Sequence, residues 1–159
     1  MRRRLGRGSR GQSLVEFAIV LPIITLVVLG LFDLGRAVFT YNTLAQAARQ
    51  GNRAAIVDQN SDRVKAVAVA AAPTIGLTSS NLSVCFKTED SSQTNCSSST
   101  DNCSSSVRVI GCLAIVTASV TYVPITPVIS IMFPSISLSS TSIGPIDYVC
   151  PNETKVACP

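Results

Sequence analysis

The chain contains no histidine. That absence removes the Ser-His and Cys-His arrangements in which an imidazole takes the proton from an attacking hydroxyl or thiol. It also removes a common zinc ligand, and no two of the six cysteines stand in a Cys-x-x-Cys pair, so no metal site is expected. No glycine-rich phosphate loop or dinucleotide fingerprint is present. Aromatic residues make up only 5% of the chain, which leaves little for stacking on nucleic acid bases. Carboxylates that lie close in sequence, Asp58 with Asp62 and Glu89 with Asp90, fall in turn-like and loop-like stretches and read as solvated surface charge. No catalytic residue, cofactor or small-molecule substrate is therefore expected.

Charge is also missing where it matters most. From Phe17 to Phe32 there is no Asp, Glu, Lys or Arg, and the apolar character extends to Leu14 and Leu34 if Glu16 and Asp33 mark the two edges. Those 21 positions make about 31 Å of helix, against a hydrocarbon core of roughly 30 Å. A secretory signal peptide would have a shorter apolar core and a small-x-small cleavage site soon after it. The nearest such site, Ala45-Gln46-Ala47, lies too far past Phe32, so the segment is expected to be retained as one membrane crossing.

Arg2, Arg3, Arg4, Arg7 and Arg10 crowd the N-terminal side of this segment, whereas only Arg36 and Arg49 follow it closely. By the positive-inside rule the N-terminus stays cytoplasmic and the C-terminal part is exported. The net charge of +4 owes five arginines to that leader; from Gln12 onward 8 basic residues face 9 acidic ones, or −1. The basic balance is thus a topology signal, and nucleic-acid binding is not expected. Glu16 is costly in an apolar helix unless it has a partner or a role. Alone, it reads as a residue at headgroup level that favours the positive end of the helix dipole.

Beyond the span, Leu34, Val38, Tyr41, Leu44, Ala45, Ala48, Ala55 and Ile56 recur at three- and four-residue steps, with Arg36, Asn42, Gln46, Arg49, Gln50 and Arg53 between them. This is the stripe of an amphipathic helix, so one helix from Ser13 to Val57 is expected, bent mildly at Pro22. The turn-forming run Asp58 to Asp62 supplies an N-cap for a short helix, Arg63 to Ala72, that Pro73 stops. From Thr74 the composition shifts to Ser, Thr, Val and Ile. Strands are expected over Asn81–Lys87, Ser106–Val123 with a bulge at Gly111, and Ser135–Tyr148, forming a small antiparallel sheet covered on one face by the long helix. The polar stretch Glu89–Ser105 reads as an exposed loop. The apolar, proline-broken run Val123–Phe133 is too short to span and is expected at the membrane surface or against the helix.

Cys85, Cys96, Cys103, Cys112, Cys150 and Cys158 all fall on the exported side, and an even number in an oxidising compartment reads as disulfides. Of the fifteen pairings, the expected set joins Cys85 with Cys112 across neighbouring strands, Cys96 with Cys103 across the polar loop, and Cys150 with Cys158 in the tail.

Gly11 stands five residues before Glu16, Phe17 follows it, and a basic leader precedes the glycine. The run Gly11-Gln12-Ser13-Leu14-Val15-Glu16-Phe17 resembles a type IV prepilin processing site. Together with Leu21-Pro22, Phe32-Asp33-Leu34-Gly35-Arg36-Ala37 and Ala47 to Ala55, it resembles the TadE-like family, pseudopilins of the tight-adherence (Flp) pilus apparatus. The likeness is close from Arg10 to about Val57 and looser in Thr117–Ser142. It implies cleavage by a prepilin peptidase between Gly11 and Gln12, with Phe17 completing the motif. It also implies a charge pair between Glu16 and the new α-amino group of a neighbouring subunit.

The expected fold is accordingly α+β and pilin-like: leader 1–11, transmembrane and extended helix 12–57, and a disulfide-stapled exported domain 58–159. The expected function is structural, a minor pilin or pseudopilin in the cytoplasmic membrane. Its partners would be the peptidase, other pilins or pseudopilins and the pilus assembly platform. Two other readings stay open, an uncleaved single-pass scaffold or adhesin and an anchored exported enzyme.

Overall fold

A computed structural model of the protein describes residues 10–88, 96, 103 and 112–146. The basic leader up to Ser9, most of the Glu89–Ser105 loop, Gly111 with its expected bulge, and the pair Cys150 and Cys158 lie outside the described residues.

Helix α1, Arg10–Ala55, runs unbroken for 46 residues with Pro22 inside it, a length of about 69 Å. Its first half carries apolar side chains on every side, and the apolar window within it has none of its residues buried. Hydroxyls in the helix are satisfied locally: Thr25 donates to the Leu21 carbonyl at 2.9 Å, and Thr40 and Thr43 donate to Arg36 and Phe39 in the same way. The helix ends two residues before the expected Val57. There Ile56 donates to the Asn52 carbonyl, and Val57 and Asp58 both donate to that of Ala54.

A tight corner then turns the chain back. Asp58 accepts the Asn60 N–H at 3.0 Å and pairs with Arg63 at 3.1 Å. Asn60 caps helix α2, Ser61–Ala70, by accepting from the N–H groups of Asp62 and Arg63. The cap falls within the expected run, and with Asn60 in that place α2 begins and ends two residues earlier than the expected Arg63 to Ala72. Its buried Val64 and Ala68 face α1. The crossing is close: a Cβ on Gly51 would lie 3.0 Å from the Ala68 Cβ and 3.1 Å from Val116.

Two single 3-10 turns, Pro73–Ile75 and Ser79–Asn81, lead into strand β1, Leu82–Thr88. Strand β2, Cys112–Tyr122, is central, and β3, Ile136–Pro145, follows a short helix α3, Pro127–Met132. Both pairings are antiparallel, with Cys85 opposite Ile115 and Ala114 opposite Gly144. The three strands fall on the expected segments, β1 displaced by one residue, and α1 covers one face as expected. The core on that face has two parts. Leu44, Ala47, Ala48, Ala68, Leu82 and Ala118 fill one; Ala55, Val64, Phe86, Ala114, Val116 and Ile146 fill the other.

Small residues on α1 and β3 let the two backbones approach. Asn52 is buried between them. In the amide orientation that satisfies both ends, it donates to the Ala114 carbonyl at 3.0 Å and accepts the Gly144 N–H at 3.1 Å. In that orientation a Cβ on Gly144 would lie 2.7 Å from the Asn52 amide oxygen.

The cysteine pairing differs from the expected one. Cys85 bonds Cys96, and Cys103 bonds Cys112, with Cα separations of 5.7 and 6.4 Å. The register explains why Cys85 does not pair with Cys112. Cys85 is opposite Ile115, while Cys112 is opposite Thr88. Three positions along a strand are about 10 Å and an odd step, so the two thiols point to opposite faces. The polar connection between β1 and β2 therefore supplies one cysteine to each face, and Cys96 and Cys103 do not bond each other.

Candidate functional site: the N-terminal helix and its junction with the domain

The stretch that resembles a processing site occupies the first described turns of α1. Gly11, Gln12, Glu16 and Phe17 are all exposed, and a Cβ placed on Gly11 would meet nothing within 4 Å. The fold thus presents the motif residues together on one accessible stretch of helix, clear of the globular part. Helical geometry sets Gln12 and Glu16 one turn apart on a common face.

Further along, α1 divides its surface. Of the amphipathic stripe, Leu44, Ala48 and Ala55 are buried beneath α2 and the sheet. Leu34, Val38 and Tyr41 are not: they are 61%, 52% and 48% exposed. The side of the helix that meets the domain is instead built from Asp33, Leu44, Ala47, Ala48, Gly51, Asn52 and Ala55. An apolar row is left facing outward just beyond the membrane-length segment.

The junction itself centres on Asp33, which the sequence marked only as an edge of the apolar run. Its side chain is buried. One carboxylate oxygen accepts the Ile125 N–H at 3.1 Å, and the other accepts the Thr126 N–H at 2.8 Å. The Tyr122 hydroxyl donates to the Asp33 backbone carbonyl at 2.9 Å. The Arg36 guanidinium lies over the Tyr122 ring, 5.5 Å from its centroid, in cation–π range. Burial, with the nearby Asp33 charge adding to it, pushes the Tyr122 phenol above its ordinary pKa. These contacts fix the turn after β2 to the helix one turn before Ala37. A carboxylate at the end of an apolar helix asks for partners; the sequence could raise that question but not name partners some ninety positions away.

Among the described residues no group of three or more His, Cys, Asp or Glu side chains comes together to hold a metal. The arrangement is one of surfaces: a helix long and apolar enough to cross a membrane, an accessible motif at its start, and a small α+β domain clamped to its far half. These features are consistent with a membrane-anchored protein. Residues 11–53 match the family model described as TadE-like protein, so that segment is similar to that family. No curated protein and no solved structure matches it.

Proposed function

We propose that the protein is a pseudopilin-like structural subunit, anchored by α1 with its N-terminus cytoplasmic and its disulfide-bonded domain outside. A prepilin peptidase cuts between Gly11 and Gln12, leaving Glu16 as the fifth residue of the mature chain. Glu16 then neutralises the α-amino group of an adjacent subunit as helices stack. At neutral pH a free amine and a carboxylate are both charged, and in a low-dielectric setting removing one member of such a pair costs more than the intact pair contributes. Glu16 accordingly sets register more than strength. The partners are other pilins or pseudopilins and their assembly platform in a tight-adherence pilus.

The observation that carries this reading is the division of α1. Its first half leaves its apolar side chains exposed, and the exposed row Leu34, Val38 and Tyr41 continues an apolar face past the membrane. A domain that only needed tethering has no use for that row, whereas a neighbouring helix would bury it. The test is the intact mass and N-terminal peptide of the protein from native membranes. A chain beginning at Gln12 is the expected result. One beginning at Met1, in cells that possess the peptidase, would overturn processing and leave an uncut anchor.

A further inference from the structure

Helix α3 lies on the membrane side of Asp33. A Cβ on Gly30 would sit 3.8 Å from the Ile129 side chain. Thr126 and Pro127 close one wall of an apolar cleft whose other wall is Leu21, Pro22, Thr25, Leu26 and Leu29 of α1. Gly30 and Leu26 precede Leu34, the outer edge of the apolar stretch, by four and eight residues. At 1.5 Å per residue they lie about 6 and 12 Å inside that edge. A segment held against them cannot be in bulk water if α1 spans.

The chemistry of the segment agrees with its position. From Val123 to Ile136 there is no charged residue. Ile125, Ile131 and Phe133 are 71%, 82% and 55% exposed on the outside of the turn. Several of its polar groups are internally bonded, which lowers the cost of leaving water. The N–H groups of Ile125 and Thr126 go to Asp33, Pro124 and Pro127 have none to place, and Ser130 donates its hydroxyl to the Pro127 carbonyl at 2.9 Å. The backbone N–H groups of Ser130 and Phe133 reach the carbonyls of Thr126 and Ile129.

We infer that Val123–Ile136 is a second membrane contact, a wedge of the exported domain immersed in the outer-leaflet acyl chains beside α1 and held there by Asp33. The depth matches that of interfacial segments, which bury apolar faces roughly 5–10 Å into the headgroup and acyl boundary. The domain is thereby fixed in height and tilt relative to the bilayer rather than swinging on a single helix. This rests on the reading of α1 as a membrane span but not on processing or pilus assembly.

The protein has no tryptophan, so single reporters can be placed at exposed sites without disturbing the core. Three full-length variants serve: Ile131→Trp on α3, Ile24→Trp in the span, and Val67→Trp on α2. Each is reconstituted in phosphatidylcholine–phosphatidylglycerol vesicles whose acyl chains carry bromine either near the headgroup or near the methyl end, and each is titrated with aqueous iodide. The expected result is a blue-shifted Ile131→Trp emission that is lost most with bromine near the headgroup and is little changed by iodide. Ile24→Trp loses emission most with deep bromine, and Val67→Trp responds to iodide alone. Ile24→Trp quenched by bromine with Ile131→Trp open to iodide would overturn the wedge and leave the anchor standing. An Ile131→Trp emission insensitive to both quenchers would place protein against the segment and also overturn it. If neither Ile24→Trp nor Ile131→Trp is quenched by brominated lipid, the anchor reading itself fails, and the wedge with it.

Discussion

The carboxylate of Asp33 accepts the backbone N–H of Thr126 at 2.8 Å across 93 positions of sequence. With the Ile125 N–H on its other oxygen, it holds the turn between β2 and α3 against α1. Asp33→Ala removes both acceptors and leaves two amide donors without a protein partner. Hydrogen exchange at Ile125 and Thr126 is expected to quicken by about an order of magnitude or more, since bonds to an ionised group are the stronger kind. Asp33→Asn retains one carbonyl oxygen and should lie between. Amides of β2 from Ala114 to Ala118 belong to the core and are expected to keep their protection. Unchanged exchange at Ile125 and Thr126 would show that the junction does not depend on this side chain.

Tyr122 closes the same junction from the other side. Tyr122→Phe keeps the ring beneath Arg36 and loses only the hydroxyl that donates to the Asp33 carbonyl. A loss of about 0.5–1.5 kcal/mol at neutral pH is expected. The pH dependence has a definite sign. Burial, followed by the Asp33 charge, raises the phenol pKa in the folded protein, so the folded state holds this proton more tightly than the unfolded chain. The stabilisation is complete below the ordinary phenol pKa of about 10 and is lost as pH rises from there through the raised folded value. Thermal unfolding of both proteins from neutral pH into this alkaline range tests it. The difference between them should shrink as the pH climbs, and a constant difference would argue against the linkage.

Disulfide connectivity is open to direct mapping. Non-reducing proteolysis followed by mass spectrometry is expected to yield peptides joining Cys85 with Cys96 and Cys103 with Cys112. Replacing either pair by serine should cost about 2–3 kcal/mol for loops of this size in the chain-entropy picture. Recovery of a peptide joining Cys85 to Cys112 would contradict the strand register, because those positions face opposite sides of the sheet.

The pairing shows where sequence reading stops. Composition was enough to place three strands near their observed positions, and the charge-free run with its three- and four-residue steps was enough to find α1. Neither reports register, and a shift in strand alignment moves every cysteine to another face. Asp33 failed to stand out for a related reason. As an acidic residue at the far edge of an apolar run, it looked the same whether bathed in headgroups or capping a distant turn. The stripe along α1 was legible as a pattern, yet Leu34, Val38 and Tyr41 turned outward, because Gly51 and the alanines permit a closer approach of α2 and the sheet on the adjacent side. Asn52 carried no pattern at all; its role depends on two backbone groups that β2 and β3 bring beside it.

Asn52 and Gly144 are expected to behave as a coupled pair. Gly144→Ala sets a methyl 2.7 Å from the Asn52 amide oxygen and 3.3 Å from the Ile56 side chain. The amide cannot swing aside without giving up the Ala114 carbonyl and the Gly144 N–H. A loss of about 1–3 kcal/mol is expected from this overpacking. Asn52→Ala, which leaves those two backbone groups without their partner, should cost a similar amount. The double variant should lose less than the sum, since the added methyl then has room. Chemical denaturation of the four proteins in the cycle measures this, and strict additivity would show that the two residues do not meet as described.

Assembly should be separable from both folding and processing. Glu16 lies four positions past Gln12 and is exposed on α1, so Glu16→Ala is expected to be cut at Gly11 and to fold normally. What it removes is the partner of a neighbour's α-amino group, and an amine left unpaired in a low-dielectric setting is costly by several kcal/mol. Val38→Lys puts a charge on the outward apolar row, at a site 52% exposed, where substitutions usually change stability by less than about 0.5 kcal/mol. Gly11→Ala meets no neighbour and should block cleavage alone. Cross-linking and co-purification from native membranes, with the size of each chain read on the same gel, distinguish the three. Glu16→Ala and Val38→Lys are expected to run at mature size and lose their partners, whereas Gly11→Ala runs at full length. If Glu16→Ala and Val38→Lys both recover partners at the wild-type level, helix stacking through this face is not what joins the subunits.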